Sequence, residues 1–134
     1  MDVQQSIDMV VIWAYEKGYS VLFDKDGDNT VCYHSKAISI KTTSAAHIQL
    51  HTLLHECGHI LVHNNDSPFD FNRITDRFSS STSTHKIYTV IEEAEAWKRG
   101  KQLARRLHIP LDDDKWDMAV ARAIKSYMKW ALDY

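Results

Sequence analysis

Two histidines four residues apart enclose a glutamate in the segment His55-Glu56-Cys57-Gly58-His59. On an α-helix such histidines lie on one face, about a turn from each other, so both imidazole rings can reach one metal ion. The glutamate then points towards the metal's open position, where it can take a proton from bound water. The surrounding sequence predicts a buried helix, because it is apolar at Leu50, Leu53, Leu54, Ile60, Leu61 and Val62. The segment therefore predicts a zinc site with Glu56 as its proton acceptor, and Gly58 allows close approach on the histidine side.

Composition limits the partners and the compartment that we expect. The chain has 134 residues, of which 44% are hydrophobic, and a formal net charge of −2. This length suits one domain over residues 1–134, and the charge gives no reason to expect a nucleic-acid or membrane partner. No apolar run approaches the ~20 residues that span a bilayer, and the N-terminus lacks the basic segment of a secretion signal. Cys32 and Cys57 do not make a disulfide framework, so we expect a cytoplasmic protein.

A catalytic zinc ion usually has three protein ligands and one exchangeable water. If His55 and His59 are two of them, the third must come from elsewhere in the chain. The elongated metzincin pattern is excluded, because it requires a histidine where this sequence has Asn65. The remaining candidates are three carboxylates in one acidic cluster, Glu92, Glu93 and Glu95.

Helical geometry distinguishes these three glutamates. Glu93 shares a narrow face with small or apolar residues, namely Ala96, Gly100, Ala104 and Leu107. A lone carboxylate on such a face is costly to bury unless a positive group compensates it, and zinc would do so. Glu92 and Glu95 share a neighbouring, charged face with Arg99, which solvent would suit. We therefore predict Glu93 as the third ligand, with Glu92 and Glu95 as the alternatives.

The remaining sequence predicts an α+β fold, with a small antiparallel three-stranded sheet packed on a helical core that includes the active-site helix. Alternating and helical apolar periods indicate the successive elements. They are a helix over 3–17, strands over 19–23, 30–34 and 37–41, a helix over 45–63 capped by Thr42, Thr43 or Ser44, an irregular stretch over 69–86, a helix over 87–107, and a last helix from about 112.

The acidic loop 24–29 fails the EF-hand pattern, so we interpret it as a hairpin turn. An aromatic and methionine stripe on the last helix is interpreted as core, and it comprises Trp116, Met118, Ala119, Ala123, Tyr127, Met128 and Trp130.

The order of these elements over residues 1–107 resembles the ImmA/IrrE family of small zinc metallopeptidases and, more broadly, the gluzincin clan. In that family the second motif commonly reads E-x-E-A-N-x-F-A. Residues 93–100 match it at Glu93, Glu95 and Ala96, with a glycine in the last small position. The resemblance implies a zincin-like, minimal gluzincin fold.

The chain departs from that motif at two positions. Trp97 replaces the family's asparagine, and Arg99 replaces its phenylalanine. A contact of the asparagine type behind the metal ligands is therefore missing or supplied differently. Loss of such a contact weakens metal binding ~10–100-fold.

The resemblance implies a metallopeptidase in which Zn²⁺ lowers the pKa of bound water and Glu56 transfers its proton to the leaving amine. It further implies a protein substrate such as a repressor and a separate regulatory protein as partner. We expect a substrate peptide to pair with a sheet edge, taken as the strand 37–41. Tyr88, His34 and His85 are the candidates for stabilising the oxyanion.

Two other functions are compatible with parts of the pattern. A non-catalytic zinc-binding module of a phage or toxin–antitoxin-like system would explain the histidines, but it needs no general base such as Glu56. Structural zinc is also usually closed by four protein ligands, and no fourth ligand is evident. A DNA-processing metalloprotease of the SprT type would need a third histidine and a basic surface.

Overall fold

A computed structural model describes residues 1–64, 79 and 82–133 of the chain. Within these ranges it contains four helices and three strands, so the fold class is α+β as predicted. The elements are α1 (Val3–Glu16), β1 (Ser20–Asp24), β2 (Thr30–Cys32), β3 (Ala37–Lys41), α2 (Ala46–His63), α3 (Ser83–Arg106) and α4 (Asp113–Leu132). Among the described helices, none combines the length and the apolar character needed to cross a bilayer.

The sheet is mixed, so the prediction of an antiparallel sheet is wrong. The strand order is β1-β3-β2, with β1 parallel to β3 and β2 antiparallel to it. Ile38 and Ile40 of β3 are fully buried, whereas most side chains of β1 and β2 are at least partly exposed. The most buried of the three strands thus takes the central position, where both of its edges are paired. The predicted substrate edge at 37–41 is therefore also wrong, because β3 has no free edge.

The helix boundaries follow local capping chemistry. Asp2 and Gln5 form a capping box at the start of α1, and Gly18, with φ of 89°, follows its end. The N-cap of α2 is Ala45, without a side-chain cap, so the predicted capping by Thr42, Thr43 or Ser44 is wrong. At this end of the helix, the side-chain amide of Gln49 donates a hydrogen bond of 2.8 Å to the backbone carbonyl of Ser44.

Helix α3 begins one turn earlier than predicted, because Thr82 caps it. The Thr82 hydroxyl accepts a hydrogen bond of 3.1 Å from the backbone N–H of His85. Residues 83–86 are therefore helical, although the sequence predicted an irregular stretch over 69–86. Residues 69–78, 80 and 81 of that stretch lie outside the described residues.

Helix α2 lies at the centre of the described structure, packed against α1, α3 and the sheet. Its buried residues run almost without interruption from Leu50 to Val62. The core around it is formed by apolar side chains of the neighbouring elements, among them Ile7, Val10, Ile38, Ile40, Leu103 and Trp116. The predicted metal helix is thus the most buried of the helices that the structure describes.

The apolar stripe of α4 is only partly buried, so its interpretation as core is wrong for several residues. Trp116 is buried, but Met118 and Met128 are 62% and 51% exposed, and Trp130 is also exposed. Helix α4 packs mainly against α3, so one neighbour covers only part of its apolar face. Tyr127 is half-buried and contributes instead to the site described below.

Candidate metal centre

Close contact between α2 and α3 brings the predicted ligands together. A Cβ atom on Gly58 would lie 1.9 Å from the carbonyl oxygen of Ala96, and one on Gly100 would lie 2.6 Å from that of Leu54. Both glycines therefore allow the two backbones to touch. This contact confirms that the small-residue face of α3 packs against the histidine helix.

His55, His59 and Glu93 converge at this contact. Nε2 of His55 lies 2.8 Å from Oε2 of Glu93, and Nε2 of His59 lies 3.0 Å from Oε1. The potential ligand atoms of the three residues all lie within 4.8 Å of one another. Glu93 is only 7% exposed, as expected for a carboxylate on the buried face of α3. These three side chains could hold one metal ion.

The two alternative glutamates lie outside this group. Glu95 forms an ion pair of 3.0 Å with Arg99 one turn later on α3. Glu92 lines the cleft in front of the three side chains, but it is not part of the cluster. The helical argument from sequence thus selects the same glutamate that the structure brings to the histidines.

Electrostatics within the cluster favour the charged form of Glu93 and shift His59 towards its protonated form. Burial would raise the pKa of Glu93, but hydrogen bonds from His55 and His59 outweigh burial and hold it well below its usual range. Burial would lower the pKa of His59, but the hydrogen bond and charge of Glu93 raise it instead. The carboxylate therefore attracts positive charge to this point.

Glu56 lies beside the cluster but is not one of the three residues that could bind a metal ion there. It is buried, and its Oε1 is 3.6 Å from Nδ1 of His55. Burial raises the pKa of Glu56 despite the opposing effect of His55 and His59, and the charge of Glu93 adds to the rise. A carboxylate whose pKa is raised is suited to accepting and returning a proton.

The cluster opens onto a cleft of about 450 Å³. Its walls come from α2, α3, α4 and the β2 side of the sheet. The described lining includes Asn29, Thr30, Val31, Tyr33, Thr52, Glu92, Trp97, Ala123 and Tyr127, in addition to the cluster and Glu56. β2 is an edge strand of the described sheet, so one of its sides pairs with no other described strand. The cleft borders this strand.

Two tyrosines of the cleft were missed by the sequence reasoning. The Tyr33 hydroxyl donates a 3.4 Å hydrogen bond to the His59 carbonyl, and its ring stacks on His63 at 3.9 Å. Tyr127 of α4 lies next to Glu93, and burial together with that carboxylate raises the pKa of its hydroxyl. Tyr88, His34 and His85 are not among the residues that line this cleft. No local pattern marks Tyr127, because only the packing of α4 on α3 brings it there.

Comparisons of the chain with protein-family models, with curated proteins and with solved structures gave no match.

Proposed function

We propose that this protein is a zinc-dependent metallopeptidase of the ImmA/IrrE type, with a minimal gluzincin arrangement. The observation that supports it most is the convergence of His55, His59 and Glu93 beside the buried Glu56, at the base of an open cleft. Two imidazoles and one carboxylate suit Zn²⁺, whereas Ca²⁺ and Mg²⁺ prefer oxygen ligands. Three protein donors leave one position for solvent or substrate.

When bound at these donors, Zn²⁺ would supply a Lewis acid that polarises a peptide carbonyl and lowers the pKa of water. Glu56 accepts the proton of the attacking water on a carboxylate oxygen and then delivers it to the nitrogen of the leaving amine. Tyr127 donates a hydrogen bond from its hydroxyl to the carbonyl oxygen as negative charge develops there. Glu93 keeps the two imidazoles facing the same point.

An extended peptide fits the shape of this cleft. The edge of β2 offers backbone N–H and C=O groups along one wall, and Asn29, Thr30 and Val31 line it. The substrate is a peptide or protein, and a regulatory protein such as a repressor is the class that the resemblance implies. The buried Glu56 favours hydrolysis over a purely structural zinc site, which needs no proton acceptor.

The test is the variant Glu56→Gln, assayed with a fluorogenic peptide library in the presence of Zn²⁺. We expect peptide cleavage to fall by about 10²–10⁴-fold, because the amide cannot accept a proton, while zinc content stays near one ion per chain. The matched control is Glu95→Gln, which removes a carboxylate of α3 that pairs with Arg99 and should leave cleavage unchanged. Cleavage by Glu56→Gln at the wild-type rate would show that this mechanism is wrong.

A further inference from the structure

Ligand histidines in metal sites are usually oriented through their second ring nitrogen, which donates a hydrogen bond to a carboxylate, a carbonyl or water. In His55 the nitrogen that faces the cluster is Nε2, so Nδ1 would have this role. Its contact to Oε1 of Glu56 measures 3.6 Å, which is longer than a hydrogen bond. Glu56 must also remain free to accept a proton in the proposed reaction. That contact therefore does not fix the orientation of the His55 ring.

An indole face contacts the same imidazole. The rings of His55 and Trp97 are stacked, with centroids 4.3 Å apart and planes inclined by 10°. Trp97 is only 6% exposed, and the edge-on ring of Trp116 packs against it at 5.2 Å. Trp116 is itself buried. Rotation of the imidazole out of its present plane would separate it from an indole that cannot follow.

The indole is not held there by its own hydrogen bond. Nε1 of Trp97 is buried and has no acceptor among the residues that the structure describes. A buried N–H without a partner costs free energy, so the ring faces must offset that cost. The stack on His55 is thus the interaction that accounts for the position of the Trp97 ring.

Helix α3 supplies both a donor and this support. Trp97 follows Glu93 by four residues, so the two side chains lie on one side of the helix, a turn apart. Glu93 approaches His55 at its ring nitrogen Nε2, and Trp97 covers the face of the same ring. Trp97 also occupies the position where the resembling family has asparagine.

We propose that Trp97 is a positioning residue for His55, whose indole face orients the ligand ring in place of a hydrogen-bond acceptor. The inference rests on the proposed metal site. An imidazole bound to a divalent ion carries part of the positive charge, and the face of tryptophan is the best aromatic partner for positive charge. The stack should therefore be stronger with metal than without it.

The test compares Trp97→Leu and Trp97→Phe with the wild type, using Co²⁺ as a spectroscopic probe and competition with a chromophoric chelator for the Zn²⁺ affinity. Trp97→Leu should weaken the binding of both ions by about 10–100-fold, as does the loss of other groups that orient ligands. It should also change the visible spectrum of bound Co²⁺, because the His55 ring is no longer fixed. Trp97→Phe retains an aromatic face and should recover part of the affinity.

The matched control is Trp13→Leu, which removes a partly buried tryptophan of α1 that packs against the core. It should lower stability without changing the Co²⁺ spectrum or the metal affinity. Wild-type affinity and spectrum in both Trp97 variants would overturn the inference while leaving the metal site intact. Absence of Co²⁺ and Zn²⁺ binding by the wild type would instead overturn the proposed function, and the positioning role with it.

Discussion

At the scale of single residues, the cleft surrounds a carboxylate that would be costly to bury alone. Glu93 lies on the apolar face of α3, and the imidazoles of His55 and His59 are within hydrogen-bond distance of its two oxygens. This compensation explains how a nearly buried acid is tolerated. It also explains why the sequence could distinguish Glu93 from its neighbours, because only Glu93 lies on a face that a second helix must cover.

Tyr127 is one of the two cleft tyrosines whose place in the site the sequence did not indicate. The variant Tyr127→Phe removes only the hydroxyl, so we expect kcat for peptide cleavage to fall by about 10²–10³-fold, as when one oxyanion donor is lost. At saturating Zn²⁺ the zinc content should stay near one ion per chain, because all three ligands remain, even though the Tyr127 hydroxyl is hydrogen-bonded to Glu93. The control Tyr15→Phe alters an exposed ring of α1 and should have no effect on kcat. Cleavage by Tyr127→Phe at the wild-type rate would contradict its assignment as the donor.

His51 should make the stability of the metal-free chain depend on pH. Burial lowers the pKa of this imidazole, with nearby His47 and Lys115 acting in the same direction and Asp112 opposing them. The unfolded chain therefore binds a proton at His51 more readily than the folded chain does. The stability from this group is fully present above the unfolded pKa of about 6.5 and is lost as the pH falls from there through the lower folded pKa.

Urea unfolding of the wild type and of His51→Gln, both freed of metal by a chelator, would measure this contribution. The unfolding free energy of the wild type should fall more steeply between pH 7 and pH 5 than that of the variant. Equal slopes for the two proteins would contradict the contribution of His51.

At the scale of helices and strands, the site depends on how closely α2 and α3 approach. Gly58→Ala would place a methyl group 1.9 Å from the Ala96 carbonyl oxygen, so the helices must separate. Overpacking of this kind lowers the unfolding free energy by about 1–3 kcal/mol, although alanine is otherwise the better helix former. Because Glu93 moves away with α3, metal affinity should fall as well.

Chemical unfolding and a metal titration of the same Gly58→Ala sample test both effects. Ala94→Ser, which adds one atom on the exposed side of α3, is the control; it should lower the unfolding free energy only by the difference in helix propensity, about 0.5 kcal/mol, and should leave metal affinity unchanged. A Gly58→Ala variant with wild-type stability and metal affinity would show that the helix contact does not determine the site.

Local sequence predicted the contact between two helices, but it did not predict the strand order or the exposure of α4. The apolar period around His55 and His59, and the small residues of α3, were sufficient to predict two helices in contact. The order of the strands was not predictable in this way, because alternation shows that a strand exists but not which edges it pairs. The exposed part of α4 was misjudged for a related reason. Its period indicates an apolar face, but only the packing against α3 determines how much of that face is covered.

At the scale of the whole molecule, one helix joins the apolar core to the candidate metal site. Helix α2 lies against α1 and the sheet on one side and carries the two histidines towards α3 on the other. Metal binding should therefore stabilise the entire fold, since an ion that binds only the native state adds free energy according to its concentration and affinity. An ion at 100 times its Kd would contribute about 2.7 kcal/mol.

The number of zinc ions bound per chain, measured by mass spectrometry of the metal after dialysis, tests the central claim most directly. We expect one ion in the wild type, one in the control Glu95→Ala, and far less than one in Glu93→Ala, because two imidazoles alone leave the site without its carboxylate. A wild type without zinc, or Glu93→Ala with a full ion, would contradict the claim that His55, His59 and Glu93 form a metal centre.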